Sequence, residues 1–200
     1  MSRSPRIGPG PHNAYGRGMA LIAAMIFSAT VGAQDLELNG EKALIAQTRD
    51  GVSARIGSVF FEPATQAGRT AFRVKMDHAV LRDYFLSMRE FKCLPAEAEV
   101  TCYVPYPYAQ PGTIAPDDLG WLEHSLLFLY KQPRDFGAKL WNGMIFKLTR
   151  TGEGFVGKPQ AVDLNNISAP PADLNAVPYG QFDRDDFAPG ARWVTELRIE

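Results

Sequence analysis

Two cysteines, three histidines and a band of tyrosines are the residues through which this chain could do chemistry, and their spacing limits what that chemistry is. Cys93 and Cys102 stand nine positions apart in "FKCLPAEAEVTCYVPYPY". A dithiol redox centre wants Cys-x-x-Cys beside a helix start, and the spacing here is too long for it. Zinc wants four ligands, and neither His78 nor His124 forms a finger-like pair with the cysteines. A structural disulfide closing a short loop remains, provided the chain meets an oxidising compartment.

The N-terminal segment supplies that condition. Arg3, Arg6 and Arg17 precede the apolar run "MALIAAMIF", and "SATVGA" follows with Val31 and Ala33 at small-residue positions. Basic start, short apolar core and small cleavage residues make residues 1–33 a cleaved secretory signal. A membrane anchor needs ~20 apolar residues, and this run breaks at Ser28, Thr30 and Gly32. Cleavage leaves 200 − 33 = 167 residues, 34–200, the length of one globular domain. Three basic residues and no acidic one leave with the signal, so 18 basic face 22 acidic residues, a net charge of −4. Its cations are dispersed, which argues against nucleic acid as a partner. No membrane span is expected after cleavage.

The remaining chemical motifs are weak. No nucleophile elbow, P-loop, His-Glu-x-x-His or dinucleotide fingerprint occurs. Glu123-His124 has the composition of an acid–histidine pair, but adjacent side chains point in different directions on a helix or a strand. His78 reads more simply as a surface histidine. "DRDD", Asp183–Asp186, begins like a calcium loop yet lacks its alternating ligands, glycine and closing glutamate, so it reads as a solvated turn. No metal and no cofactor is expected. Carboxylates are plentiful, but sequence does not say which two share a cleft, so a glycosidase-like pair stays open.

Aromatic residues rise above this background. Pro105 and Pro107 stiffen "YVPYPY" into an extended path, displaying Tyr103, Tyr106 and Tyr108 above the cysteine clip. Trp121, Trp141 and Asn142 join them as ligand-binding candidates if the sheet folds back. Rigid aromatics with a polar handle suit peptide or glycan ligands. Tyrosines beside prolines also serve to cover a sheet edge or a core, and both readings stand.

Hydrophobic periodicity predicts an α+β domain with a mainly antiparallel sheet to carry these residues. "ALIAQT" and "VSARIGSVFFEP" flank Asp50-Gly51 as a hairpin, with a bulge at Gly57-Ser58 absorbing a phase shift. "TAFRVKMD" alternates cleanly. Asp77 caps a predicted amphipathic helix over about 78–91, whose Val80, Leu81, Tyr84, Phe85, Met88 and Phe91 form one stripe. A short helix is expected near 117–123, then a strand in "SLLFLYK". "MIFKLTR" and "GFVGKPQAV" form a second hairpin, residues 163–192 wrap the surface irregularly, and "RWVTELRIE" closes as a strand. The alternative architecture is a small, partly open β-barrel.

"FKCL…C…YPY", "DL…LE…LLFLYK", "WNG" and "DLN…PP" together resemble a group of exported Gram-negative proteins to which no function is assigned. The resemblance covers roughly residues 50–200 and implies a host type, with no site residues. The sequence reading is therefore a periplasmic or secreted, non-catalytic binding or accessory protein, with an envelope protein, peptide or glycan as its partner. A hydrolase of envelope polymers, acting through paired carboxylates, is the alternative.

Overall fold

The disulfide links Cys93 to Cys102, directly opposite each other on neighbouring strands. In the computed structural model, which describes residues 8, 10, 38–64, 68–86, 89–152 and 154–200, this clip lies in a sheet of twelve strands. The expected signal segment, residues 1–33, lies outside the described residues apart from Gly8 and Gly10. Strands β1 (Gly40–Thr48), β2 (Ser53–Pro63) and β3 (Thr70–Met76) open the chain order. They are followed by β4 (Arg82–Leu86), β5 (Arg89–Pro95), β6 (Val100–Tyr103) and β7 (Thr113–Ile114). One helix, α1 (Gly120–His124), precedes β8 (Phe128–Lys131), β9 (Gly143–Arg150) and β10 (Phe155–Val162). The short β11 (Asp185–Asp186) and then β12 (Val194–Ile199) complete the sheet. Its order is β4-β5-β6-β8-β9-β10-β12-β1-β2-β3-β7, with β11 beside β10, and the paired strands run antiparallel.

This corrects the α+β expectation. The predicted helix over 78–91 is a β-hairpin, β4 against β5, running from Arg82↔Cys93 to Leu86↔Arg89. Asp77 does start a helical turn, accepting Ala79 N–H on its carboxylate at 2.8 Å and Leu81 N–H on its carbonyl at 3.0 Å. That turn ends at Leu81 because the disulfide holds Cys93 in a ladder with β6, and β4 extends the same ladder outward. A period-2 pattern then operates: Tyr84 and Leu86 pack on the core while Phe85 faces out, 73% exposed. Aromatic residues favour this pleated setting. The sheet is open, since β4 and β7 end it on opposite sides, so it is not a small barrel either. The second predicted helix is α1, five residues long, and "SLLFLYK" contributes β8.

The first hairpin follows its sequence signal, with Gly51 at φ +81°. The bulge falls at Ile56, just before the predicted site: Leu44 pairs with Gly57 and Ile45 with Arg55. Both Ile56 and Val59 thereby reach the core. Gly57 is needed beside the bulge because a Cβ there would meet the Lys75 carbonyl oxygen at 2.4 Å.

The middle of the sheet is buried on both faces. Leu126 and Phe128 enter one core with Met144, Phe146 and Leu148, whereas Leu127, Leu129 and Ile145 enter a second. Cys93, Val100 and Cys102 belong to the second core, which Leu164, Ile167 and Tyr179 cover. The segment 163–192 is thus more than a surface wrap. It contains 3₁₀ turns at Leu164–Ile167 and Gln181–Asp183 as well as β11.

Because the clip closes a loop of about ten residues, opening it should cost roughly 2.7 kcal/mol by the chain-entropy relation. A Cys93→Ser/Cys102→Ser variant, compared with the oxidised protein by urea unfolding, measures this. A loss below about 1 kcal/mol would show that the β5–β6 ladder alone holds the loop.

Candidate functional site: a cleft floored by a buried ion pair

Helix α1 places two adjacent polar residues, about 100° apart around its axis, in different directions. Glu123 turns toward β9 and Arg184: its Oε2 accepts from Arg184 Nη1 at 2.6 Å, and its Oε1 accepts the Leu148 N–H at 2.8 Å. Both side chains of this pair are about 10% exposed. Arg184 also donates from Nε and Nη2 to the Tyr179 carbonyl, at 3.2 and 3.0 Å. The pair therefore has the additional hydrogen bonds that a buried ion pair needs to offset its desolvation.

His124 turns the other way and is fully buried. Its Nε2 accepts the Tyr179 N–H at 3.0 Å, so its Nδ1 carries the proton and donates to the Gly120 carbonyl at 2.7 Å. The imidazole stacks on the Tyr179 ring with centroids 5.4 Å apart. Burial, with the nearby Arg184 charge, pushes its pKa down to about 4, although the bond to Gly120 works the other way. Tyr179 donates its hydroxyl to the Asp163 carbonyl at 2.9 Å, and burial raises its pKa. Thus the 177–184 segment is tied to α1 through Glu123 and His124 together.

Over the ion pair opens a cleft of about 630 Å³. Asp117, Lys147, Thr149, Gln160 and Gln181 line it, along with Glu123 and Arg184. Lys147 and Thr149 project outward from β9 while Leu148 between them faces the core. Gln160 holds Asp186 by a 2.7 Å bond from Nε2. Polar groups thus surround the opening while the charges beneath it are fixed in place.

The tyrosine band packs against Trp121 of α1. Tyr106 packs on Tyr108 and on Trp121, each with ring centroids 5.7 Å apart, and Trp121 continues to His124 at 5.9 Å. Trp121 is buried, and Tyr108 donates its hydroxyl to the Ile167 carbonyl at 3.2 Å. The Tyr106 hydroxyl is buried without a hydrogen-bond partner among the described residues. Tyr103 packs edge-on against Phe128 in the first core, and burial raises its pKa to about 12. So the structure gathers Tyr106, Tyr108 and Trp121 into one aromatic brace behind α1. Trp141 and Asn142 lie instead at the connection between β8 and β9, where Asn142 lines a separate depression with Glu99 and Arg192.

That depression holds a second ion pair. Arg192 Nη1 lies 3.3 Å from Glu99 Oε2, and its guanidinium stacks 3.7 Å above the Tyr130 ring. Burial raises the Glu99 carboxyl.

Sequence reasoning missed Arg184 and Lys147. Arg184 sits inside "DRDD", whose acids serve locally: Asp183 accepts the Gly180 N–H at 2.9 Å, and Asp186 accepts from Gln160. Only the arginine between them turns inward, and a lone cation in an acidic turn was the available signal. Among the described residues no cluster of His, Cys, Asp or Glu is placed to hold a metal ion, and no helix is long and apolar enough to cross a membrane. Comparison with protein-family models, curated proteins and solved structures finds no match to this chain, so its function is argued from this geometry.

Proposed function

We propose that the protein is exported and acts as a non-catalytic binding or accessory protein of the cell envelope, taking a polar peptide or glycan segment in the cleft over Glu123–Arg184. The observation that carries this reading is the combination of an open 630 Å³ cleft and a satisfied floor. The volume lies in the range of small-molecule sites, and Lys147, Thr149 and Gln181 present exposed hydrogen-bonding groups around it. The disulfide supports export, because such bonds persist in oxidising compartments.

Catalysis by paired carboxylates finds less support. A general base must come within hydrogen-bond reach of the proton it takes, whereas Glu123 is about 10% exposed and has one oxygen held by Arg184 and the other by the Leu148 amide. His124, neutral at pH 7, uses both ring nitrogens.

Native mass spectrometry of protein recovered from the envelope without denaturation tests the proposal, alongside a Thr149→Trp variant that fills the cleft. Expected is a retained ligand mass on a chain beginning near Gln34, lost in the variant. Titration calorimetry with peptide and oligosaccharide fragments of cell-wall digests should show affinity at least about tenfold weaker in the variant, a difference of ~1.4 kcal/mol. No adduct and no heat with either fragment class would refute the binding reading. Release of product from wall material, with a bell-shaped pH profile, would establish the hydrolase instead.

A further inference from the structure

The connection between β8 and β9, "QPRDFGAKLWN" over 132–142, turns its large apolar side chains outward. Phe136 is 92% exposed, Trp141 62% and Leu140 36%. The backbone beneath them is well anchored. Asp135 N–H bonds the Gln132 carbonyl at 3.0 Å, Asn142 N–H the Lys139 carbonyl at 2.9 Å, and the Leu140 carbonyl accepts from Leu164 N–H at 2.9 Å. Ala138 packs on the second core. The loop thus has a fixed base and an apolar tip.

Its charge runs against that of the whole chain. From Lys131 to Asn142 there are three cations, Lys131, Arg134 and Lys139, and one acid, Asp135, a local net of +2 in a chain of net −1. Arg134 and Lys139 are exposed. Lys131, at the root of the loop, is only 7% exposed, and no hydrogen-bond or ion-pair partner faces it among the described residues. It lines the depression of about 350 Å³ that Arg49 and Asn142 also border. Glu99 in that depression is already engaged by Arg192.

From these features we infer that the β8–β9 loop docks the protein on an anionic phospholipid surface. Phe136, Leu140 and Trp141 enter the boundary between headgroups and acyl chains, while the exposed Arg134 and Lys139 meet the lipid phosphates. Tryptophan, phenylalanine and leucine flanked by cations are the residues that settle at this boundary, and each cation near an anionic surface adds to binding. Scale favours a bilayer over a protein partner. Two aromatic side chains offer ~150–250 Å² each, well short of the ~800 Å² per partner of a stable protein interface, yet a narrow tip suffices to enter a headgroup layer.

Cosedimentation of the purified chain with vesicles tests this, using phosphatidylcholine alone and phosphatidylcholine mixed with phosphatidylglycerol. Binding is expected to the mixed vesicles only, and to weaken as salt screens the charges. Phe136→Ser/Trp141→Ser and Arg134→Ser/Lys139→Ser should each lower the partition coefficient about tenfold or more, with melting temperatures unchanged. Vesicle addition should shift tryptophan emission to the blue in the parent and leave it unmoved in Trp141→Phe, since Trp121 is buried and the half-buried Trp193 packs on the first core with its indole N–H on Asp50. Failure of the parent to sediment with mixed vesicles overturns the inference, as does equal sedimentation of the double variants. Cross-linking of the loop to a protein without vesicle binding would assign it to a protein contact instead.

Discussion

Replacing Glu123 with alanine is expected to destabilise the protein by about 3–5 kcal/mol, the cost of leaving a buried charge without its partner. The substitution strips Arg184 of its counter-ion and leaves the Leu148 amide without its acceptor. Because both partners are only about 10% exposed at the floor of the cleft, water replaces only part of what is lost. Glu123→Gln should cost less, since its amide oxygen still accepts from Leu148 while the ion pair alone disappears. The decisive comparison is the pair replaced together. A Glu123→Leu/Arg184→Met protein leaves no uncompensated charge and should lie closer to the parent than either single change, as buried pairs exchanged for apolar residues often do. Urea unfolding of the parent, Glu123→Leu, Arg184→Met and the double variant gives the coupling energy. Single variants within about 0.5 kcal/mol of the parent would mean that the cleft floor is open to solvent.

Acid should weaken the protein through His124. Its folded pKa of about 4 lies below the unfolded value near 6.5, so the unfolded chain takes up the proton first as pH falls. Stability is then full above pH 6.5, declines from there to about 4, and is flat below, with a total loss of roughly 3 kcal/mol. The protonated ring would have no acceptor for Nε2, which now receives the Tyr179 amide, and it would stand near the Arg184 charge. Glu99 titrates with the opposite sign, because its raised carboxyl takes a proton in the folded state first. The difference between parent and His124→Gln isolates the histidine: the variant should lose most of the slope between pH 6.5 and 4. A parent curve with no such slope would place His124 in contact with water.

Much of the sheet was legible because its signals are local. Asp50-Gly51 marked the first hairpin, alternation in "TAFRVKM" marked β3, and the cysteine spacing marked the clip. The failure at 78–91 has a specific cause: Val80, Leu81, Tyr84, Phe85, Met88 and Phe91 fit a helical stripe, while the partner that makes β4 a strand is specified by a disulfide farther along the chain. Helical spacing cannot see a cross-strand neighbour. The cleft was less legible still. Glu123 and Arg184 are 61 positions apart, and nothing in either neighbourhood announces the other. The tyrosine motif was conspicuous in sequence, but its rings are largely taken up in bracing α1.

Strand β12 has a consequence for the order in which the molecule can be assembled during synthesis. It lies between β10 and β1 and is the ladder that joins the two halves of the sheet, pairing Leu44 with Ile199 and Phe155 with the same residue. A ribosome must therefore have passed residue 199 before strand β1, made some 150 residues earlier, finds that neighbour. Until then β1–β3 with β7, and β4–β6 with β8–β10, are separate sheets whose facing edges are unpaired. Such distant pairing slows folding, and under the export proposed above, late completion would keep the chain threadable.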